Sequence, residues 1–240
     1  MFASSESLAR LVVRRARPAL GTLLEIGVEP GVGVDTNAAV AVAFDRVRTV
    51  ESHLSRFEAG SEIHRFNAAP AGAHIDLGAD ARAVLDASRA LHDASGGLFD
   101  VSLGSGGEGW FVDESSVLHK QRAGVRLDLG GIGKGYAVDA AVQSLRHHGV
   151  QAGWVNAGGD LRVFGTIDVP VDVRDETGGG VRRFGTLGEG AFATSRLGRR
   201  QVSVAAEACL WADALTKVVA ASGDASHPLL RRYGARAWLQ

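Results

Sequence analysis

The sequence predicts an α+β fold in which mixed sheets pack against helices. Three observations carry that expectation. Segments that alternate apolar and polar residues at period two are interspersed with segments whose apolar residues recur at helical spacing. The two kinds do not follow the strand–helix–strand rhythm that a regular parallel α/β sheet imposes. Glycine is abundant, at 32 of 240 residues, and falls in short clusters between the periodic segments, where the chain must turn.

The elements follow in order. Leu20, Thr22, Leu24, Ile26 and Val28 alternate with Gly21, Glu25 and Gly27, with Leu23 the one exception, and predict a strand. Asp35 or Thr36 caps a helix whose apolar stripe runs Val40, Ala43, Phe44, Val47, Val50, Leu54. A second helix starts near Asp80, places Ala81, Val84, Leu85, Ser88 and Leu91 on one face, and ends at Gly96 and Gly97. Val125, Leu127 and Leu129 alternate with Arg126 and Asp128 and predict another strand, followed by a glycine turn and a helix from about Lys134 to His148. Trp154 and Val155 lead into a second glycine turn, Ala157-Gly158-Gly159. Ile167, Val169, Val171 and Val173 alternate again, and Pro170, lacking an N–H, places that strand at an edge. Gly178 to Gly180 predict a surface hairpin or loop. A short buried strand at Val202 to Ala206, a helix from about Glu207 to Ala221 and a last strand at Ala235 to Leu239 complete the reading. A single domain over residues 1–240 is the expectation at this length.

Composition narrows the function classes. A net charge of −1 gives no reason to expect nucleic acid or an anionic membrane as partner. Arg14, Arg15 and Arg17 read as the solvated end of a segment. A lone cysteine, Cys209, excludes an intramolecular disulfide and a cysteine metal cluster, and its neighbours Ala208 and Leu210 suit a buried small hydrophobe. The first residues contain only the apolar run Leu11, Val12, Val13, against the roughly 7–15 residues of a secretory core. No stretch approaches the about 20 apolar residues of a membrane span. A cytoplasmic location is the expectation.

Three places could carry chemistry. In Leu127 to Asp139 a glycine turn opens a helix and sets Lys134 beside its N-terminus, a combination that favours a phosphate or pyrophosphate. Asp128 and Gly135 stand where a P-loop needs Gly and Ser or Thr, and Tyr136 breaks the G-x-G-x-x-G pattern. A tight turn with a surface lysine accounts for the same residues. The second turn, Asn156 to Asp160, follows one helix and strand later, so two glycine turns could wrap one ligand; Asp139 and Asp160 suit sugar hydroxyls or helix caps. Asp213 lies in a mostly apolar helix with Lys217 four residues on, which fits a functional acid or an ordinary helix ion pair. The histidines show no zinc-binding spacing, and Ser195 has no convincing triad partner.

Taken in order, five segments resemble the ApbE family of FAD:protein FMN transferases. They are Ala19-Leu20-Gly21-Thr22; Leu54-Ser55-Arg56-Phe57 with Ser61 to Asn67; Gly97-Leu98-Phe99-Asp100; Leu129 to Asp139 with Asn156 to Asp160; and Ala212 to Leu215. The resemblance implies an α+β protein that binds FAD, moves its FMN half onto a Thr or Ser hydroxyl of a target protein and releases AMP. It implies flavin-nucleotide contacts for Leu20, Ser55, Phe57 and Asp100, for Gly131, Lys134 and Asp139, and for Ala157, Gly158, Gly159, Asp160 and Thr194. It also implies Mg²⁺, held by Asp213, the Ala157 carbonyl and a threonine four residues after the aspartate. Here that fourth residue is Lys217 and the threonine is one residue early, at Thr216. One helical step turns a side chain by about 100°, so Lys217 is expected to stand in for the metal beside the pyrophosphate. The family's His-x-x-Asp-Pro-x-x-Gly segment is missing, because Thr194-Ser195 runs almost directly into Val202. The stretch between Asp100 and Asp128 is also short for the family. Two other readings share the flavin ligand: an FAD-binding protein without transfer chemistry, and an FAD pyrophosphatase. Arg196, Arg199 and Arg200 suit either a pyrophosphate clamp or a solvated loop.

Overall fold

The computed structural model describes residues 12–174, 178–197 and 200–239. The chain opens with β1 (Val13–Ala19) and β2 (Thr22–Val28), an antiparallel hairpin. Leu20 and Gly21 form its two-residue turn with φ of 55° and 69°, the arrangement whose twist matches the flanking strands. Glycine adopts that backbone freely and leucine does not. The Leu20 N–H is tied at 3.0 Å to Oε1 of Glu51, so the turn is clamped to the helix that follows.

That helix, α1 (Thr36–Leu54), is capped by Asp35, which accepts from the Ala38 N–H, and it buries the predicted stripe. Next come α2 (Glu62–Ala68), capped by Ser61, then β3 (His74–Asp76) and α3 (Ala79–Ala94). The chain leaves α3 through Gly96 and Gly97, both at positive φ. Strands β4 (Trp110–Val112) and β5 (Val117–Lys120) complete a small sheet in the order β3-β5-β4.

The strand predicted at Val125 to Leu129 does not form. These residues belong to no sheet, although Val125, Leu127 and Leu129 are buried as the alternation predicts. Their backbone bonds go elsewhere than to a strand. The Asn67 amide accepts from the Leu127 N–H at 2.7 Å and donates to its carbonyl at 2.8 Å, and the Asp128 N–H donates to the Val101 carbonyl. Alternation reports an extended chain with one buried side, which a side-chain amide satisfies as well as a ladder does.

The second half supplies α4 (Gly133–His147), then the hairpin β6 (Gly153–Ala157) and β7 (Asp160–Phe164), turned by Gly158 and Gly159. Strands β8 (Val169–Arg174) and β9 (Val181–Leu187) form a separate two-stranded ribbon, so Pro170 does lie on an edge. The chain ends with β10 (Gly190–Leu197), β11 (Arg200–Ala206), α5 (Cys209–Ser222), α6 (Pro228–Arg232) and β12 (Arg236–Leu239). The large sheet is antiparallel throughout, in the order β1-β2-β6-β7-β10-β11-β12.

Successive residues of a strand point to opposite faces, and the sheet uses both. Ala191, Ala193 and Phe164 join the main core with α1, α4 and α5, while Leu161, Val163 and Phe192 pack under the β8–β9 ribbon. Helices α4 and α5 meet very closely at Gly135, where a Cβ would lie 2.3 Å from the Cys209 carbonyl oxygen. Cys209 is buried, as its neighbours suggested, and burial raises its thiol pKa well above the ordinary value. Among the described residues no helix is long and apolar enough to cross a membrane.

One polar knot ties three helices together. Arg46 of α1 grips Asp80 of α3 with both terminal nitrogens, at 2.7 and 2.5 Å, and the Tyr136 hydroxyl of α4 donates to the same carboxylate at 2.7 Å. The Arg46 hydrogen bonds hold the Asp80 carboxyl below its ordinary value of 3.8, against the effect of burial. Burial and the bond to Asp80 push the Tyr136 phenol up to about 12.

Two outcomes follow. Gly135→Ala forces α4 and α5 apart and costs about 1–3 kcal/mol or more, read as a lower urea midpoint at unchanged m-value. The Asp80 contribution is complete above 3.8 and is lost as pH falls through its depressed folded pKa. The stability gap between wild type and Arg46→Met is therefore wide at neutral pH and narrows in acid, which denaturant melts at a series of pH values will show.

Candidate functional site

The site is built where the first glycine turn meets three elements of the second half. Asp128 braces the turn: its Oδ1 accepts from the Gly130 N–H at 2.8 Å, and its Oδ2 lies 3.1 Å from Arg56 Nε. The turn closes by bonds from the Ile132 and Gly133 N–H groups to the Leu129 carbonyl. The N-cap residue Ile132 offers no side-chain cap; of the first-turn N–H groups of α4, that of Gly135 donates to Oδ2 of Asp213 at 3.3 Å, so the helix start adds partial positive charge beside a buried carboxylate.

Four charged side chains converge beside it. Lys134 of α4 forms a close ion pair with Asp160 of β7 and lies 3.8 Å from Oδ2 of Asp213. On α5, Lys217 Nζ sits 2.8 Å from Oδ1 of Asp213 and 2.9 Å from the Thr216 hydroxyl oxygen. The carboxylates are almost fully buried, at 2% and 1% exposure, whereas the two lysines keep 33% and 25%. Negative charge is thus sealed inside and positive charge faces outward. Burial, reinforced by the Asp213 charge, pushes Asp160 up to about 6 in spite of Lys134. Burial acts against the Lys134 ammonium, but Asp213 and Asp160 outweigh it and its pKa is raised. The Lys217 stem passes over Gly131, where a Cβ would come within 3.3 Å of its Cγ and Cε.

A cavity of ≈ 350 Å³ opens against this cluster. The Leu20-Gly21 turn, the end of α1 with Glu51 and Ser55, then Phe57 and the block from Asp128 to Lys134 line it. A second cavity of ≈ 390 Å³ shares Arg56, Phe57 and Asp128 with the first and reaches His64 and Arg126. Phe57 stands at the junction, 77% exposed, with the Arg56 guanidinium 4.4 Å from its ring centre. An exposed ring of this kind is a ready stacking surface.

The residues singled out in the sequence divide into groups. Leu20, Ser55, Phe57 and Lys134 line the first cavity, and Gly131, Asp160, Asp213, Thr216 and Lys217 gather at the charge cluster. Gly158, Gly159 and Thr194 line a third cavity of ≈ 550 Å³ on the ribbon side of the sheet, not the first. Ala157 is buried in β6, opposite Leu24 and Asp160. The two glycine turns therefore do not wrap one cavity; they serve opposite faces.

Asp100 is turned onto its own loop, where the Ser102 N–H and hydroxyl and the Gly104 N–H all donate to it. Asp139 accepts from the N–H groups of Cys209 and Leu210 at 3.0 and 2.8 Å, so it caps α5 rather than lining the first cavity. Arg200 donates to the Ala220 carbonyl, Arg196 lines the third cavity, and Arg199 lies outside the described residues.

Sequence reasoning missed Glu51, Arg56 and Asp128. Glu51 flanks the apolar residues Val50 and Leu54 on α1, and an acid at the margin of a buried stripe is a signal that could have found it.

The metal expectation was tested on the donor set. Asp213 Oδ1 and Thr216 Oγ1 do converge, but on Lys217 Nζ. The Thr216 hydroxyl proton goes to the Asp213 carbonyl at 2.6 Å. Among the described residues no three or more His, Cys, Asp or Glu side chains are arranged so that all could hold one metal ion. Mg²⁺ asks for an octahedron of oxygens; this arrangement fits an ammonium instead.

Comparison with known proteins agrees with the resemblance read from the segments. The model of the ApbE family matches residues 20–116 and 110–200. A FAD:protein FMN transferase of Treponema pallidum is 24% identical over 185 residues, which is 63% of this chain and 51% of that protein. One of Rhodobacter capsulatus is 28% identical over 175 residues, 60% of this chain and 33% of that protein. The chain thus spans about half of the first relative and a third of the second. The fold is that of the flavin transferase ApbE from Vibrio cholerae (TM-score 0.84, 17% identity, 95% of this chain and 93% of that one). It is also that of the Thermotoga maritima ApbE protein (TM-score 0.84, 21% identity, 95% and 94%).

The position of Asp139 yields a prediction. Asp139→Ala removes the side-chain cap of α5 and costs about 1 kcal/mol of stability, while leaving affinity for FAD unchanged. Thermal melts and a fluorescence titration with FAD will separate the two effects.

Proposed function

Because the chain belongs to the ApbE family, we propose that it is an FAD:protein FMN transferase, which moves FMN from FAD to a Thr or Ser hydroxyl of a target protein and releases AMP. One observation carries this reading: Lys134, at the start of α4, lines a cavity, and Lys217, packed over the glycine turn at Gly131, stands in the same cluster, both partly exposed and both fixed by buried carboxylates. Such a place suits the pyrophosphate of FAD. Phe57 and Leu20 offer apolar surface for the ring system in the same cavity.

The chemistry is an in-line displacement. The acceptor hydroxyl oxygen bonds to the phosphorus on the flavin side, and the bond from that phosphorus to the bridging oxygen breaks. AMP departs with the bridging oxygen, and the hydroxyl proton is released to solvent. The protein's part is to position the pyrophosphate and oppose charge that grows on its oxygens. In our reading Lys134 and Lys217 do this as point charges. Both are held by carboxylates that have little contact with water, so little reorganisation accompanies the reaction. A donor aimed at transition-state charge is typically worth about 10²–10³ in rate.

Lys217 takes the role that the family resemblance gives to Mg²⁺, and no step here is routed through a metal. No histidine lines the first cavity, and we assign none a proton-transfer role.

The test is to incubate the protein with FAD and a threonine-bearing acceptor peptide, with Mg²⁺ or with chelator, and to follow peptide mass and AMP. The expected result is a peptide that gains FMN, with matching AMP, in both conditions. Intact FAD with two different acceptors would overturn the proposal, and so would AMP release without peptide labelling, which marks a pyrophosphatase. Lys217→Ala should weaken FAD binding about tenfold or more, the loss of one charge-assisted contact. An unchanged dissociation constant would remove Lys217 from the site.

A further inference from the structure

We propose that His74 and His119 form a binding site for a divalent transition-metal ion, held between their Nδ1 atoms and oriented by Asp113. The site lies on the small sheet, apart from the residues that line the flavin cavity. His74 and His119 are direct cross-strand partners of β3 and β5, and Phe111 of β4 is the next residue in the same row.

The two Nδ1 atoms face each other at 2.7 Å. On its far side His119 Nε2 lies 2.8 Å from Oδ2 of Asp113. An ionised carboxylate takes only a donor, so Nε2 carries the proton and the neutral ring presents its Nδ1 lone pair to His74. The Asp113 carboxylate is itself held in place by the Val117 N–H, which donates to its Oδ1 at 2.9 Å. Phe111 stacks on His119, with centroids 4.4 Å apart and planes 4° from parallel, and fixes the ring face. A carboxylate, an imidazole with a fixed tautomer and an open lone pair are the parts of a supported metal ligand. With His119 Nδ1 as the acceptor, His74 Nδ1 is the donor of the hydrogen bond that joins the two rings.

The separation also suits an ion. Two bonds of about 2.05 Å at a right angle put the nitrogens about 2.9 Å apart, and at the tetrahedral angle about 3.3 Å apart. Either spacing is reached from the hydrogen-bonded 2.7 Å by a side-chain shift of less than about 1 Å. Two imidazoles with water in the remaining positions suit the tetragonal habit of Cu²⁺ or Ni²⁺, and the general affinity order places Cu²⁺ above Zn²⁺.

The experiment is calorimetric titration of the full chain with CuCl₂, NiCl₂ and ZnCl₂ in turn, repeated on His74→Asn, His119→Asn and Asp113→Asn. Expected are one saturable Cu²⁺ or Ni²⁺ site stronger than that for Zn²⁺, loss of at least about tenfold in affinity in either histidine variant, and an intermediate loss in Asp113→Asn. The Cu²⁺ electron paramagnetic resonance spectrum should show two imidazole nitrogens that become one in His74→Asn. Should His119→Asn fold poorly, His74→Asn, which alters an exposed side chain, carries the test. Equal affinity of wild type and His74→Asn, or no binding of any of the three ions, overturns the proposal.

Discussion

Two carboxylates with almost no contact with water, Asp160 and Asp213, have to be neutralised where they stand. Leaving either unpaired would cost several kcal/mol, so Lys134 and Lys217 are drawn to them, and the elements that carry these side chains are drawn together. Lys134 is on α4, Asp160 on β7, and Asp213 and Lys217 on α5. The close approach of α4 and α5 at Gly135 belongs to the same arrangement: the Gly135 N–H donates to Asp213. The two acids and two lysines cancel in formal charge, but the acids are deep and the lysine heads shallow, so the positive groups face outward, Lys134 onto the cavity. That polarity makes it a place for an anion rather than a plain internal salt bridge.

The other wall of the cavity is held by a different device. Leu20 adopts a left-handed backbone that leucine avoids, and Glu51 of α1 secures it through the Leu20 N–H. Strain of this kind persists only where surrounding contacts over-determine it, and such places are often ligand-binding. Arg56 and Asp128 pair across the floor, leaving Phe57 exposed between two adjoining cavities. The sheet's other face carries its own cavity under the β8–β9 ribbon, where Gly158, Gly159 and Thr194 lie.

The legible parts of the sequence were those in which one side chain after another repeats the same instruction. The stripe from Val40 to Leu54 and that from Ala81 to Leu91 gave α1 and α3 their faces, and Asp35 marked a helix start that its side chain does cap. Lys134, Asp213 and Lys217 were visible because a charge in apolar surroundings needs a reason. What was not legible depends on partners far away in the chain. Nothing local in Val125 to Leu129 says that Asn67 takes its backbone bonds. Spacing set Asp139 and Asp160 beside glycine turns, but only the fold shows that one caps α5 and the other pairs with Lys134. Strand parity, invisible until the register is known, sends Asp160 to the helix face and Gly158 to a different cavity. Likewise His74 and His119 are 45 residues apart and meet only through sheet register.

If fixed lysine charges rather than a metal receive the pyrophosphate, a preference for FAD must survive removal of divalent ions. The most direct measurement compares the dissociation constants of FAD and riboflavin, which lacks the pyrophosphate, in the presence of a strong chelator. FAD should bind far more tightly than riboflavin, and chelation should leave the difference intact. Equal affinities, or a preference for FAD that appears only when Mg²⁺ is added, would contradict it.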